Sequence, residues 1–266
     1  MKLSAIVITK NESTTIARCL KSLSFADETI VVDAHSDDDT VARAEHCGGR
    51  VFTRTWAGYG QQKNFGAAQA RGEWLLFIDA DEEVTPALRE VIQATLVAPK
   101  ADFYWLRTVN IFLGQPLYHL YGHNPRLFKK GRGQWSARYV HEQVERFATP
   151  TTEKIVITLG DPYSRLLSEP LLHHSHPSIH SYLEKMHRYT SLDAQYMLTT
   201  HRHRSGRVIT PSVMLPWTLA VRQFIKLLLY RRGLLDGWPG ILWCSLSAYY
   251  EWEMGKKYLA LKQQRP

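Results

Sequence analysis

Short apolar runs alternate with periodic, more polar segments in the first hundred residues of the chain. The runs are rich in β-branched residues and show little polar alternation, which is typical of strands buried on both faces. They lie at Leu3–Thr9, Glu28–Asp33, Arg50–Thr55 and Trp74–Ile78. Helical spacing predicts helices between and after them, at Ile16–Leu23, Thr40–His46, Gln61–Gln69 and Pro86–Ala94. This alternation predicts an α/β fold, with a Rossmann-like, mainly parallel sheet flanked by helices.

The pattern changes twice further along the chain. From Phe103 it becomes richer in aromatic residues, and three more strands are predicted, at Tyr104–Val109, Asn124–Lys129 and Trp135–Val144. Apolar residues at helical spacing then predict a helix over Ser178–Leu198. From about Arg202 the sequence is basic and aromatic. We therefore predict a domain over 1–200, with halves 1–100 and 101–200, and a helical C-terminal extension over 201–266.

Three aspartates follow predicted strands. Asp33 ends the second strand, and Asp79 and Asp81 follow the fourth. Ligands of open parallel sheets bind at the carboxyl ends of the strands, and paired carboxylates suit Mg²⁺ or Mn²⁺. The alternative for Asp79-Ala80-Asp81 is a solvated acidic turn ahead of the helix that begins at Pro86. The triplet alone leaves both interpretations open.

Composition and motifs narrow the functional classes. The net charge of +8 suits anionic partners such as nucleotide phosphates, nucleic acid or an acidic membrane surface. The three cysteines are scattered and form no CxxC pair, which argues against a disulfide framework or a cysteine zinc site and favours the cytosol. The N-terminal apolar run is too short for a signal peptide. A dinucleotide motif after the first strand, a P-loop and a nucleophile elbow are all missing from the sequence.

The order and spacing of three segments carry a resemblance to a known family. They are Ala5–Thr9 followed by Lys10-Asn11-Glu12, then Val31-Val32-Asp33, then Phe77-Ile78-Asp79-Ala80-Asp81. Together they resemble the family 2 glycosyltransferases, which have the GT-A fold. The resemblance is close over the first half of the chain and looser beyond it.

The resemblance implies roles for individual residues. Glu12 and Asp33 would contact the nucleoside of a nucleotide-sugar donor, and Lys63 and Asn64 would face that donor. Asp81 would be the main ligand of Mg²⁺ or Mn²⁺, with Asp79 supporting it and contacting the donor. The turn after Asp33 departs from the small Ser/Gly-rich turn of many relatives, since it reads Ala34-His35-Ser36-Asp37-Asp38-Asp39-Thr40.

A second acidic site lies at His141-Glu142. A glutamate held within hydrogen-bond reach can deprotonate an attacking hydroxyl group. The alternative is a surface glutamate paired with Arg138 or Arg146. The segment resembles the Val-His-Glu element of the lipopolysaccharide core β-1,4-glucosyltransferases, which implies that Glu142 is the catalytic base and that His141 supports it.

Histidines cluster at His173-His174-Ser175-His176, followed by His180. Neutral imidazole can bind manganese. The spacing is similar to a segment that precedes a Lys- and Tyr-rich helix in the same subfamily, which implies that His173 is a metal ligand and is preferred over His174. For His176, His180, His201 and His203 we expect loop positions without a ligand.

The C-terminal extension mixes cations with aromatic residues. Residues 202–265 contain eleven Lys or Arg against three acids. Val213–Tyr230 is predicted to form an amphipathic helix, which either lies in a membrane interface or packs on the catalytic domain. Nucleic-acid binding is disfavoured because no RRM, zinc-finger or helix-turn-helix signature accompanies the charge.

The resemblance implies an inverting transfer of a hexose, glucose from UDP-glucose in the narrower subfamily, to an inner-core heptose of lipopolysaccharide. The enzyme would be cytoplasmic and peripheral on the anionic, cytoplasmic face of the inner membrane. Two alternatives remain: transfer to a polyprenyl phosphate or another envelope acceptor, and a non-catalytic scaffold that binds nucleotides or sugars.

Overall fold

The chain divides into two compact units. The structure is a computed structural model that describes residues 1–137, 142–148, 153–176 and 178–263. Unit 1 comprises 1–109 and 122–174, and unit 2 comprises 110–121 and 175–266. We predicted a division at residue 200, whereas the contacts group 175–200 with the C-terminal helices.

Four parallel strands form one side of the main sheet in unit 1. They are β1 (Leu3–Thr9), β2 (Glu28–Asp33), β3 (Arg50–Thr53) and β4 (Trp74–Asp79), in the order β3-β2-β1-β4. The helices of this part are α1 (Ile16–Ser22), α2 (Thr40–His46) and α3 (Tyr59–Gln69). Every residue of β1 is buried, as its uninterrupted apolar sequence predicts. The strand–helix alternation and its parallel pairing are therefore confirmed.

The other side of the sheet is antiparallel where its pairings are described. It contains β5 (Glu82–Val84), β6 (Phe103–Phe112), β8 (Gly122–Lys129) and β12 (Ser164–His176), and the order continues from β4 as β8-β6-β12-β5. Pairing is antiparallel for β4 with β8, β6 with β8, and β5 with β12. The short strand β7 (Gln115–Pro116) pairs with β6, and α4 (Pro86–Val97) follows β5. This is the expected α/β class, with a mixed sheet and flanking helices.

The predicted single strand Trp135–Val144 is wrong. β9 (Gly133–Trp135), β10 (Val144–Phe147) and β11 (Lys154–Val156) form a separate antiparallel sheet in which Val144 lies opposite Trp135. The chain must therefore reverse between these two residues. Ser136 stabilises the reversal, because its N–H donates to Gln143 O at 2.7 Å and its Oγ accepts from Gln143 N at 3.0 Å.

His173, His174 and His176 lie on a strand, which corrects the loop position expected for His176. They belong to β12, and His173 lies opposite Glu82 of β5 in the antiparallel register. Local sequence did not indicate this strand, because Pro170 interrupts it and four polar residues end it. Pairing with β5 supplies the hydrogen bonds that hold this segment extended.

Unit 2 is largely helical in the part of the chain that the structure describes. Its elements are α5 (Ile179–Thr200), α6 (Leu215–Ile225), a π-helical turn (Lys226–Tyr230), a 3₁₀ turn (Gly233–Asp236) and α7 (Gly237–Gln263). A capping box at Ser178 and Ser181 begins α5. Met197, Leu219, Met254 and Tyr258 are among the residues of a buried cluster shared by these helices. Within the described residues, no helix is both long enough and apolar enough to cross a bilayer.

His203 has a structural partner in unit 2. Its Nε2 lies 2.9 Å from Glu251 Oε2, and Arg204 Nη2 donates to Glu251 Oε1 at 2.7 Å. Glu251 is buried, so these contacts compensate its charge. These contacts tie the segment after α5 to α7.

Candidate active site

A buried ion cluster lies where β4 ends. Arg126 Nη2 donates to Asp79 Oδ2 at 2.8 Å and to Glu82 Oε1 at 2.6 Å. Glu82 Oε2 accepts from the Asp79 N–H at 2.8 Å. Lys63 Nζ approaches Asp79 Oδ1 to 3.4 Å. Asp79 is therefore held between two cations, with its backbone fixed by Glu82.

The charges in this cluster follow from burial and from the neighbouring ions. Burial raises the pKa of Asp79, but Arg126 and Lys63 outweigh it and hold that pKa well below its usual range. Burial raises the pKa of Glu82 to about 7, with Arg126 opposing this rise and Asp79 adding to it. Burial lowers the pKa of Arg126, but Asp79 and Glu82 raise it further than burial lowers it. Asp79 and Arg126 are thus ionised at neutral pH.

Lys63 joins this cluster to Glu142. The buried Lys63 ammonium donates to Glu142 Oε1 at 2.7 Å and lies 4.4 Å from the ring centroid of Trp135. Three residues that the sequence singled out separately, Lys63, Asp79 and Glu142, are therefore brought together. The predicted supporting residue His141 lies outside the described residues.

Helix α3 positions Lys63 through contacts with β9. The Asn64 amide donates to Trp135 O at 2.8 Å, and its Oδ1 accepts from Trp135 N at 2.9 Å. Asn64 therefore fastens α3 to the strand that carries the ring next to Lys63. This geometry favours an indirect role for Asn64 toward a donor, through the placement of Lys63 and Trp135.

Gly60 makes this close packing of α3 sterically feasible. A Cβ atom at Gly60 would lie 2.1 Å from Ser136 O, a contact that real Cβ atoms do not make. We expect Gly60→Ala to lower the free energy of unfolding by about 1–3 kcal/mol, because the backbone must shift to relieve the overlap. Equilibrium urea denaturation measures this change.

Gly122→Ala is the matched control for Gly60→Ala. A Cβ atom at Gly122 would meet nothing nearer than Asn124 Nδ2 at 3.9 Å. The expected change at Gly122 is within about 0.5 kcal/mol. Equal losses in the two variants would contradict the packing explanation.

Asp81 pairs with His173 beside the ion cluster. Asp81 belongs to the turn between β4 and β5, and its Oδ2 lies 3.2 Å from His173 Nε2 on β12. Burial lowers the pKa of His173, but Asp81 outweighs burial and raises it to about 9, with Glu82 and Asp79 contributing. The side chain of His174 instead pairs with Glu83, at 2.9 Å between Nε2 and Oε2. The backbone N–H of His174 donates to Asp81 O. The two neighbouring histidines therefore have different side-chain partners, Asp81 for His173 and Glu83 for His174.

The donor set at Asp81 and His173 fits a divalent cation that a substrate helps to hold. A carboxylate oxygen and an imidazole nitrogen suit Mn²⁺, and Mg²⁺ is often bound by one or two carboxylates plus substrate phosphates. Among the described residues, no group of three or more His, Cys, Asp or Glu could hold a metal ion. His173 could ligate the metal only after losing its proton.

Asp33 is the last residue of β2, and Glu12 lies in the loop after β1. Thr9 lies opposite Asp33 in the parallel register, and Ile8 lies opposite Asp79, so the acids share the carboxyl edge of the sheet. Asp33 accepts from Ser36 N at 2.9 Å and from Ser36 Oγ at 2.5 Å. The Glu12 N–H donates to Thr40 Oγ1 at 2.8 Å. Ser36 therefore orients the Asp33 carboxylate. This serine belongs to the turn at 34–40 that differs from the turn of many relatives.

Arg126 and Glu82 are site residues that the sequence analysis missed. Arg126 is a cation in the interior of the predicted strand Asn124–Lys129, next to the apolar Leu127 and Phe128. A buried charge inside an apolar strand needs a partner, and that need was the available signal. Glu82 follows Asp81 directly and could have been included in the acidic segment.

Several buried polar atoms near these residues make no hydrogen bond within the part of the chain that is described. They are Arg126 Nε and Nη1, Trp135 Nε1 and Thr9 Oγ1. Buried polar atoms without partners are uncommon in folded proteins, and each one calls for an explanation such as a ligand. Three of these atoms are N–H donors, which suits an anionic or hydroxyl-rich molecule.

The acids of this site lie at the carboxyl edge of a sheet flanked by helices, the α/β arrangement that the resemblance to a nucleotide-sugar-dependent transferase family implied. The family model described as Glycosyl transferase family 2 matches residues 4–150, more than half of the 266 residues. The chain belongs to this glycosyltransferase family.

Two curated relatives and one solved structure are similar to this chain to different extents. An uncharacterized glycosyltransferase of Rickettsia felis is 30% identical over 93% of this chain and 86% of its own length. The lipopolysaccharide core biosynthesis glycosyltransferase LpsC of Rhizobium meliloti is 31% identical over 54% of this chain and 57% of its own. Glucosyl-3-phosphoglycerate synthase of Mycobacterium tuberculosis is 25% identical, with a TM-score of 0.36 over 41% of this chain and 44% of that one.

Proposed function

We propose that this glycosyltransferase moves a hexose, glucose in the first instance, from a UDP-sugar to an inner-core heptose of lipopolysaccharide, with inversion. The observation that carries the proposal is the Lys63 ammonium, which lies between the Asp79 carboxylate and Glu142. It joins the predicted donor site to the predicted base. The acceptor class rests on the partial likeness to LpsC and on the Val-His-Glu resemblance.

The donor would bind at the carboxyl edge of the sheet. Glu12 and Asp33 would contact the nucleoside, and the N–H groups of Arg126 and Trp135 that make no hydrogen bond would be available to the diphosphate or the sugar. Asp81 and His173 would hold Mg²⁺ or Mn²⁺, with Asp79 in support. When bound, such a cation neutralises charge that develops on the departing diphosphate.

Glu142 would accept the proton of the attacking acceptor hydroxyl group. The new bond forms between that oxygen and the anomeric carbon as the bond from this carbon to the diphosphate breaks, and UDP leaves. The buried Lys63 ammonium donates to Glu142 Oε1 at 2.7 Å and so holds this carboxyl group next to the Asp79 site.

UDP release from a panel of nucleotide-sugars, with purified inner-core acceptor and with Mn²⁺ or EDTA, tests the reaction class. We expect metal-dependent turnover with one UDP-hexose. Replacing the acceptor by a polyprenyl phosphate separates the alternative acceptor class. No turnover with any donor, together with no metal-dependent UDP binding, would overturn the proposal and leave a binding scaffold.

Glu142→Gln tests the assignment of the base. The amide keeps the size of the side chain but is a far weaker proton acceptor, so kcat should fall about 10²–10⁴-fold while KM for the donor changes little. Glu145→Gln on β10 is the matched control and should keep kcat within about twofold. A Glu142→Gln enzyme with unchanged kcat would exclude Glu142 as the base.

The proposal includes a peripheral position on the cytoplasmic face of the inner membrane, where a lipid-anchored acceptor is presented. The basic composition of residues 202–265 supports this position, since anionic lipids attract clustered Lys and Arg.

A further inference from the structure

One face of α6 is apolar and exposed to solvent. Met214, Trp217, Val221 and Ile225 are spaced by three or four residues, so they lie on the same side of the helix. Their exposed fractions run from 42% to 59%. Leu215 and Leu219 are buried instead, in the cluster with Met254 and Tyr258. The core of unit 2 therefore accounts for one side of α6. On the other side, Trp217 contacts the ring of Trp252 on α7, with 5.9 Å between the centroids, but keeps more than half of its surface exposed.

The π-helical turn extends this face. A π-helix hydrogen-bonds from i to i+5, so Tyr230 follows Ile225 along the same surface. Tyr230 and Ile225 both line a shallow depression of about 820 Å³, together with Met214, Trp217 and Val221. Every lining residue belongs to 214–230, a single helical segment, so the depression is an open surface and not an enclosed cavity for a small ligand. We call these five side chains the α6 apolar face.

Cations border the α6 apolar face. Arg222 and Lys226 also line the depression, and both are exposed. Arg232 is exposed just beyond the π-helical turn. None of these three cations has a carboxylate partner within the part of the chain that the structure covers. The sequence holds seven Arg or Lys and no Asp or Glu between Asp193 and Asp236.

We propose that the α6 apolar face docks on an anionic phospholipid surface, with Trp217, Val221 and Ile225 entering the headgroup boundary and Arg222 and Lys226 contacting lipid phosphates. Aromatic and aliphatic residues flanked by cations are typical of helices that lie in a membrane interface. This names the lipid chemistry behind the peripheral position within the proposed function. It does not depend on the transfer chemistry, so the two proposals can fail separately.

Charge favours an anionic phospholipid surface over a second copy of the chain as the partner of the α6 apolar face. Two copies packed symmetrically through the α6 apolar face would bring Arg222 and Lys226 of each close to those of the other. Like charges placed together in an interface disfavour association. An anionic bilayer supplies the opposite charge over the whole face.

Co-sedimentation of the full chain with phospholipid vesicles tests the proposal. We expect binding to vesicles rich in phosphatidylglycerol, weak binding to pure phosphatidylcholine, and loss of binding as salt is raised. Brominated lipids should quench tryptophan fluorescence, and Trp217→Phe should remove part of that quenching while vesicle binding is kept. Absence of binding to phosphatidylglycerol vesicles would overturn the proposal.

Two double variants separate the apolar and ionic contributions. Arg222→Gln with Lys226→Gln is expected to weaken binding to anionic vesicles about 30-fold. Val221→Ser with Ile225→Ser should weaken it about tenfold or more. The controls in unit 1 are Arg89→Gln with Lys100→Gln, which changes two exposed cations, and Val97→Ser, which changes an exposed apolar residue. Equal losses in variants and controls would show that net charge or hydrophobicity, and not this face, governs binding.

Two further measurements keep the outcomes distinct. Sedimentation equilibrium without lipid reports self-association, and a dimer that Val221→Ser with Ile225→Ser dissociates, in a chain that does not bind vesicles, would assign the face to a second copy. UDP release with a delipidated, soluble acceptor should be unchanged in these variants. Loss of that turnover alone would count against the proposed function and leave lipid docking standing.

Discussion

Replacing Asp81 with asparagine is expected to lower kcat/KM for the UDP-hexose donor about 1,000-fold at saturating Mn²⁺. Asparagine keeps the size of the side chain but removes the charge that would hold the cation and that pairs with His173 at 3.2 Å. A bound cation contributes several kcal/mol to stabilising the departing diphosphate, and about 4 kcal/mol corresponds to this change in rate. Steady-state UDP release gives the rate constants.

Calorimetric titration of UDP into Asp81→Asn, with and without Mn²⁺, separates metal binding from other effects. We expect the variant to lose the increase in UDP affinity that Mn²⁺ gives the unaltered enzyme. Asp102→Asn is the control, because Asp102 only approaches the exposed Arg132 side chain, at 3.5 Å. Mn²⁺-dependent UDP binding that persists in Asp81→Asn would show that Asp81 is not the metal ligand.

Replacing Arg126 with methionine is expected to lower the free energy of unfolding by about 3–5 kcal/mol. Methionine fills a similar volume but carries no charge. The substitution therefore removes the closest cation of Asp79 and the ion-pair partner of the buried Glu82. Breaking one side of a buried ion pair costs this much because the remaining charge stays away from water. Urea denaturation of the full chain measures the effect.

The exposed pair of Arg132 and Asp102 provides a matched comparison in the same unit. Its atoms are 3.5 Å apart and both side chains contact solvent, so Arg132→Met should cost about 0–1 kcal/mol. Adding Glu82→Gln to Arg126→Met should restore part of the lost stability, because one uncompensated carboxyl group is removed. A double variant no more stable than Arg126→Met would indicate that packing, and not charge, causes the loss.

The sequence alone determined the parallel part of the fold and the location of the acids. The bounds of β1, β2 and α2 match the predicted ones, because burial on both faces leaves an uninterrupted apolar run and burial of one helical face leaves a periodic one. Asp33 and Asp79 end their strands, and parallel strands end at one edge of a sheet, so their proximity to that edge followed from topology.

Only the tertiary structure decided which distant side chains meet. Arg126 reaches Asp79 across 47 positions, Lys63 reaches Glu142 across 79, and His173 reaches Asp81 across 92. No local period encodes such pairs, because they depend on the path of the chain between them. The reversal between β9 and β10 and the pairing of β12 with β5 create two of these contacts, and both were missed from the sequence for the same reason.

Helix α6 illustrates the same division. The spacing of apolar residues predicted an amphipathic helix over Val213–Tyr230 and left membrane contact and internal packing open. In the folded unit, Leu215 and Leu219 pack inward while Trp217, Val221 and Ile225 stay exposed. The sequence does not show which of two apolar sides of a helix is buried. The position of the neighbouring helix α7 determines which side is covered.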